Sequence, residues 1–150
     1  MAVVNGPEQL AALGARLKAA GDGGLRLQLL RGVKAGADPL VGAVYYAALN
    51  QLPKRNGLNV QVAKQKVTVS VRTSTRTAGV RLSTTRPDTR QTDSGYVRHP
   101  VFGRGTWVKQ EIPAAKGWWS ETLKRESPKI TGDVLDVMEE VSREIQRGGL

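Results

Sequence analysis

The stretch VTVSVRTSTRTAGVRLST, residues 67–84, decides the fold class of this chain. Apolar and polar residues alternate over residues 67–73 and again over residues 78–84, and many of them are β-branched. This pattern is typical of half-buried strands, and the turn-forming residues 74–77 separate the two runs. We therefore predict an antiparallel β-hairpin whose outward positions are polar and partly basic: Ser70, Arg72, Arg81 and Ser83.

Helices are predicted on the N-terminal side of this hairpin, over residues 7–52. The first helix repeats leucine at intervals of three and four residues, at Leu10, Leu13 and Leu17. Gly21 ends it, and a longer helical period runs over residues 25–52, with small residues that would let a second backbone approach closely. Pro39 lies inside this period. Because proline removes one backbone donor and clashes with the preceding turn, we expect a kink or a break near residues 37–39.

A C-terminal helix is predicted within residues 117–147. Its apolar face is formed by residues at helical spacing: Ile130, Val134, Val137, Met138, Val141 and Ile145. A chain of 150 residues with 39% hydrophobic content can bury one core. The prediction is a single α+β domain over residues 1–150, with a helical part at 7–52, a β-rich basic middle at 60–112 and the C-terminal helical part.

The segment between the predicted hairpin and the next β-like stretch has no hydrophobic period. Residues 85–95, TRPDTRQTDSG, are turn-forming and charged, and we predict an exposed loop there. It leads into GYVRHPVFGRGTWVKQ, residues 95–110, which holds the single histidine and one of the three tryptophans.

The composition excludes several classes of protein. The absence of cysteine excludes disulfides, and the single histidine excludes a structural zinc site. The longest apolar stretches fall short of the roughly 20 residues that a membrane-spanning helix needs, and the N-terminus lacks a signal-peptide pattern. We expect a soluble, unsecreted protein with no cofactor and no membrane contact.

The formal charge of +10 is unevenly distributed. Residues 1–52 carry five Lys/Arg and three acids, net +2; residues 53–116 carry thirteen and three, net +10; residues 117–150 carry five and seven, net −2. A basic middle and a slightly acidic end indicate either contact with a polyanion or head-to-tail packing between copies of the chain.

The basic middle supplies candidate contacts to DNA or to a neighbouring subunit, namely Lys64, Lys66, Arg72, Arg76, Arg81, Arg86 and Arg90. Such side chains can bind phosphates by electrostatic attraction alone. Residues 52–95 contain no aromatic side chain, which argues against base recognition. Nonspecific contact with DNA and a merely solvated basic sheet face both remain open.

No constellation of residues predicts catalysis. His99 has no recognisable partner, because the acids nearest in sequence, Asp88, Asp93 and Glu111, share no informative spacing with it. The glycines of residues 21–28, GDGGLRLQ, lack the Lys-Ser/Thr ending of a phosphate-binding loop. We expect that the chain is not an enzyme, with no catalytic, cofactor-binding or metal-ligating residues.

The tryptophans are expected to be core residues or interface anchors, with the core favoured for all three: Trp107, Trp118 and Trp119. Indole rings bury large areas and tolerate a partly polar edge, which suits both roles.

The order of short motifs resembles a known family. These motifs are Pro39-Leu40-Val41, Leu52-Pro53, Asn56-Gly57-Leu58, Ala78-Gly79-Val80, then GYVRHPVFG at residues 95–103, Trp107 and Gly117-Trp118-Trp119. Over nearly the whole chain this order is similar to the neck, or head-to-tail connector, proteins of siphophages, particularly those of actinobacterial phages. RHPVFG with the following tryptophans is the most specific element.

This resemblance implies a non-enzymatic structural protein of the virion neck or tail, made in the cytoplasm of the host bacterium. Such a protein joins capsid and tail as a ring around the DNA channel, and the resemblance implies sixfold or twelvefold symmetry. Implied partners are further copies of the chain and other neck, connector, tail-terminator or tail-tube proteins, with nonspecific contact to double-stranded DNA. The alternative is an accessory protein that binds nucleic acid nonspecifically through the basic middle.

The resemblance also suggests how one subunit would attach to the next. The expected attachment loop and its anchors are Arg98, His99, Pro100, Val101, Phe102 and Trp107. The expected opposing surface is the acidic face of the C-terminal helix, with Asp133, Asp136, Glu140 and Glu144. The alternative is that the loop packs only on its own domain.

Overall fold

The computed structural model describes residues 6–74, 76–85, 88–101 and 104–148. The elements in chain order are α1 (Gly6–Ala20), α2 (Gly23–Gln51), a 3-10 turn (Arg55–Gly57), α3 (Leu58–Ala63), β1 (Val67–Arg72), β2 (Gly79–Thr84), α4 (Asp88–Asp93), β3 (Tyr96–Val101), β4 (Arg104–Glu111), a 3-10 turn (Pro113–Ala115) and α5 (Ser120–Arg147). Strands β1 and β2 form one antiparallel pair, and β3 and β4 form another. The α+β prediction is confirmed, including the central hairpin and the helices at both ends.

The N-terminal helices follow the predicted pattern. Gly21, with φ of +69°, lies between α1 and α2 in a left-handed conformation that glycine adopts without a steric penalty. The Leu25 backbone N–H then donates to Asp22 Oδ1 at 2.9 Å, which caps the start of α2. Helix α2 continues through Pro39, so the break that the proline would permit does not occur.

The chain divides into two compact units. The first comprises the described parts of Met1–Pro39, Val69–Ser83 and Pro128–Leu150, and the second comprises those of Leu40–Thr68 and Thr84–Ser127. Each has its own hydrophobic core. The single-domain expectation stays a prediction.

The core of the first unit is formed by α1 and by parts of α2 and α5. The buried residues are Leu10, Leu13, Leu17, Leu29, Val33, Met138, Val141 and Ile145. A Cβ atom added at Gly32 would lie 2.5 Å from Val137 Cγ1, so the glycine is what allows α2 and α5 to approach this closely. The predicted apolar face of the C-terminal helix is therefore confirmed, as is the use of a small residue in close helix packing.

The core of the second unit surrounds Trp118. Its buried residues are Val44, Ala47, Ala48, Leu52, Val62, Ala63, Ile112, Ala115 and Trp118. The predicted β-rich middle thus also contains a short helix, α3, which contributes Val62 and Ala63 to this core.

The expectation of an exposed loop over residues 85–95 is wrong. Residues Asp88–Asp93 form α4, and Thr89 and Thr92 are 6% and 0% exposed. The helix has no apolar face; polar contacts within the second unit hold it in place.

Candidate functional site

The predicted attachment loop is part of a β-hairpin, β3–β4. The pairing runs from Tyr96 opposite Glu111 to Pro100 opposite Trp107, and the register shifts between Pro100 and Val101. Phe102 lies outside the described residues, as does Arg86, and the side chain of Val101 is likewise not described. Of the predicted attachment residues, the structure therefore describes the side chains of Arg98, His99, Pro100 and Trp107.

The base of the hairpin is fixed where the two strands join the rest of the second unit. The Ile112 N–H donates to the Gly95 carbonyl oxygen at 2.7 Å. Gly95 has φ of +88°, and a Cβ atom there would lie 3.2 Å from Lys116 Cβ. Both the backbone conformation and the space favour glycine at this position.

A buried polar contact connects α4 to the segment that follows the hairpin. The Trp118 indole N–H donates to Thr92 Oγ1 at 2.9 Å, and Thr92 Oγ1 donates to the Thr89 carbonyl at 3.2 Å. The Thr89 hydroxyl donates to Gln65 Oε1 at 2.7 Å, which extends the network to the segment before β1. Trp118 is therefore a core residue, as favoured from the sequence.

Asp93, the last residue of α4, caps the start of α5. Its Oδ1 atom accepts from the Trp119 N–H at 2.9 Å and from the Ser120 N–H at 3.0 Å. The first N–H groups of a helix lack partners within the helix, so a carboxylate placed there satisfies them and interacts favourably with the helix dipole. The cap thus joins α4, which precedes the hairpin, to the start of α5, which follows it.

One face of the hairpin combines cations with aromatic rings. Directly paired residues place their side chains on the same side of an antiparallel ladder. This face therefore carries Tyr96, Arg98, Pro100, Trp107, Lys109 and Glu111. Lys109 Nζ lies 4.6 Å from the centre of the Tyr96 ring and 3.1 Å from Glu111 Oε1.

Trp107 is 65% exposed, so the expectation of a core position is wrong for this tryptophan. It lies on β4, whose residues 105–111 are all exposed. Exposed indole rings flanked by polar residues are typical of contact surfaces. Of the two roles considered for tryptophan, Trp107 fits the interface anchor.

The two edges of the hairpin differ. Because the Ile112 N–H donates to the Gly95 carbonyl, Gly95 and every second residue after it on β3 point their backbone groups toward β4. The backbone groups of the residues between them, including Arg98 and Pro100, point away from β4. The Arg98 N–H donates to Gln91 Oε1 at 3.2 Å, and Pro100 has no N–H to donate. The β3 edge is therefore closed to a further strand, whereas exposed residues line the β4 edge.

The predicted acidic face of α5 is solvent-exposed at Asp133, Asp136 and Glu140. Glu144 is half-buried and accepts a 3.1 Å hydrogen bond from Gln28 Nε2 of α2. It therefore also stabilises the first unit, a role that the sequence did not indicate.

The predicted DNA-contacting cations belong to both units. Arg72, Arg76 and Arg81 are exposed in the first unit, and Lys64, Lys66 and Arg90 are exposed in the second. Within the second unit the hydrogen bond between Thr89 and Gln65 brings the segments carrying the three cations together.

His99 is exposed, and its ring nitrogen Nδ1 lies 3.3 Å from the Pro100 carbonyl oxygen. The described residues contain no group of three His, Cys, Asp or Glu placed to hold a metal ion. None of the helices over those same residues is long and apolar enough to span a membrane.

Helix α4 was not predicted from the sequence, and for Trp107 the favoured core position is wrong whereas the alternative of an exposed anchor was also named. A signal for α4 was present, because Pro87 followed by Asp88 is a common helix start. Trp107 had no comparable signal, since neighbouring residues of β4 show no clear apolar face.

Comparison of the chain with models of protein families, with curated proteins and with solved structures found no match.

Proposed function

We propose that this chain is a structural protein of a phage virion, located in the neck, where it joins capsid and tail as a ring around the DNA channel. The observation that supports this most is the hairpin face on which an exposed Trp107 lies next to the directly paired cations Arg98 and Lys109. The same chain carries an exposed acidic face on α5. One surface can therefore attract the other on a neighbouring copy.

A ring requires a heterologous contact, in which one surface of a subunit meets a different surface of the next. Opposite charges set the register and increase the association rate, and a buried aromatic residue supplies most of the affinity. The hairpin and the acidic face of α5 have these properties. In the proposal the contact residues are Arg98, His99, Pro100, Val101, Phe102 and Trp107 on one side, and Asp133, Asp136, Glu140 and Glu144 on the other.

A partner subunit would also increase the stability of the hairpin. A two-stranded ribbon is marginally stable in water on its own. Here β4 is exposed along residues 105–111, so its packing is incomplete within one chain. A neighbouring subunit that covers this strand would bury Trp107 and stabilise the ribbon.

The test is the phenotype of particles made without the chain. We expect DNA-filled heads and separate tails to accumulate in lysates of a phage in which the corresponding reading frame is deleted, and the purified chain to restore joining. Electron microscopy and sedimentation measure both. Normal particles from the deletion phage would contradict the proposal.

A second candidate function is nonspecific binding of nucleic acid, which the exposed cations Arg72 and Arg81 on the first hairpin favour. Phosphate binding through several cations weakens steeply as the salt concentration rises. Tight, salt-sensitive binding of duplex DNA by the monomeric chain would support this function. In the structural role we expect only weak DNA binding before assembly.

A further inference from the structure

A groove open to solvent lies between α1 and α5 in the first unit. Its volume is about 520 Å³, and the residues that line it include Ala12, Leu13, Arg16, Leu135, Met138 and Glu139. Leu13 and Met138 are buried residues of the core below, whereas Leu135 is 37% exposed. The groove therefore offers apolar surface that none of the described residues of the first unit covers.

The groove is acidic along its α5 side. Glu139 lines the groove. Because successive residues of a helix are about 100° apart around its axis, Asp136 and Glu140 lie beside Glu139 on the part of the α5 surface that faces away from the groove. Glu139 is paired with Arg143, one turn along α5. Over residues 133–147 the helix carries five carboxylates and two guanidinium groups, so this side remains negative overall.

We propose that this groove receives the Trp107 side chain of a second copy of the chain, with Lys109 and Arg98 of that copy next to Glu139 and Asp136. The inference rests on the proposed ring assembly and names the receiving site for it. Trp107 is 65% exposed in its own chain, so its indole ring is available to a neighbour.

Charge complementarity selects this occupant. The hairpin face presents Trp107 with two cations, Arg98 and Lys109, and one acid, Glu111, on the same side. The groove presents apolar side chains with Glu139 on its α5 border and Arg16 on its α1 side, and the exposed acids Asp136 and Glu140 continue the α5 border. An acidic border repels nucleic acid, which makes DNA a poor occupant. Because each copy has both the hairpin and the groove, the contact repeats head to tail, as a ring requires.

The absence of cysteine in the chain permits a direct test by cross-linking. Gly105→Cys places a thiol two residues before Trp107 on β4, where an added Cβ atom meets no atom of the described residues within 4 Å. Ala12→Cys places a thiol in the groove at an exposed position of α1. The two single-cysteine proteins are mixed at about 1 mM, a concentration at which even a contact with a Kd of about 1 mM is substantially occupied, and are treated with a short bismaleimide.

We expect a higher yield of the cross-linked dimer between Gly105→Cys and Ala12→Cys than of either homodimer. We also expect a higher yield than that of the dimer between either variant and a control protein, Gln51→Cys. A mixed product no more abundant than the control product would overturn the groove assignment. An excess of the Ala12→Cys homodimer would also overturn it, because that result would mean that two grooves face each other.

A second pair of variants separates the groove from general surface effects. Leu135→Arg places a charge in the groove, and Leu27→Arg is a matched control on α2, where the leucine is also exposed. We expect Leu135→Arg to lower the association constant by about tenfold or more and Leu27→Arg to leave it unchanged. If both variants assemble normally while Trp107→Ala does not, the groove assignment fails and the ring function stands. If the deletion phage makes normal particles, the function fails.

Discussion

The indole N–H of Trp118 donates a 2.9 Å hydrogen bond to Thr92 Oγ1, and the two side chains are 1% and 0% exposed. This contact joins α4, which precedes the hairpin, to the segment that follows it. Both strands of the hairpin are thereby attached to the core of the second unit.

Replacing Trp118 by Phe should destabilise the protein by roughly 1–3 kcal/mol, because a buried hydrogen bond and some packing volume are lost. Urea unfolding measures this change. The matched control is Trp119→Phe, since the Trp119 ring is only partly buried and lies outside this hydrogen-bond network.

Combining Trp118→Phe with Thr92→Val tests whether the hydrogen bond itself matters. Residues in one network show interaction energies of about 0.5–3 kcal/mol in double-mutant cycles. Strictly additive effects would mean that Thr92 and Trp118 are not coupled.

Replacing Asp93 by Ala should cost about 0.5–2 kcal/mol, because the first N–H groups of α5 lose their acceptor. The control is Asp133→Ala, which removes an exposed acid in the middle of α5 and should change stability by no more than about 0.5 kcal/mol. Thermal unfolding followed by circular dichroism distinguishes the two. Equal effects would show that Asp93 is not acting as a cap.

Reversing Arg72 and Arg81 to Glu should reduce the yield of complete particles while the melting temperature stays nearly unchanged. Both side chains are exposed, and exposed charges usually alter stability by less than about 0.5 kcal/mol. Titres of complemented particles and a melting curve measure the two effects. A double variant that fails to fold would identify these arginines as structural.

The parts of the fold that the sequence predicted are those with a local hydrophobic period. The alternation of apolar and polar residues over residues 67–84 predicted β1 and β2, and the apolar face over residues 130–145 predicted α5. Such periods report directly which side of an element is buried, so they need no knowledge of distant contacts.

Helix α4 shows why other parts were missed. Its six residues, DTRQTD, have no apolar side chain, and the contacts that hold it come from Gln65, Trp118 and the start of α5. These partners lie about 25 residues away in sequence. Contacts of this kind cannot be deduced from the pattern of one segment.

The candidate site was predicted only in part. The sequence located the hairpin residues and the acidic face, but it did not show that Tyr96, Arg98, Trp107 and Lys109 share one face. That arrangement depends on the register of β3 against β4, which a shift of one residue would reverse. The groove between α1 and α5 depends on helix packing, which the sequence does not specify.

The most direct test of the central claim is the association of Trp107→Ala measured beside its unfolding. Sedimentation equilibrium on the purified chain, with incorporation into complemented particles as the second readout, gives the association change. We predict a loss of about 2 kcal/mol or more in association and a change of no more than about 0.5 kcal/mol in the stability of the monomer. A well-folded Trp107→Ala protein that associates and enters particles like the original chain would contradict the account.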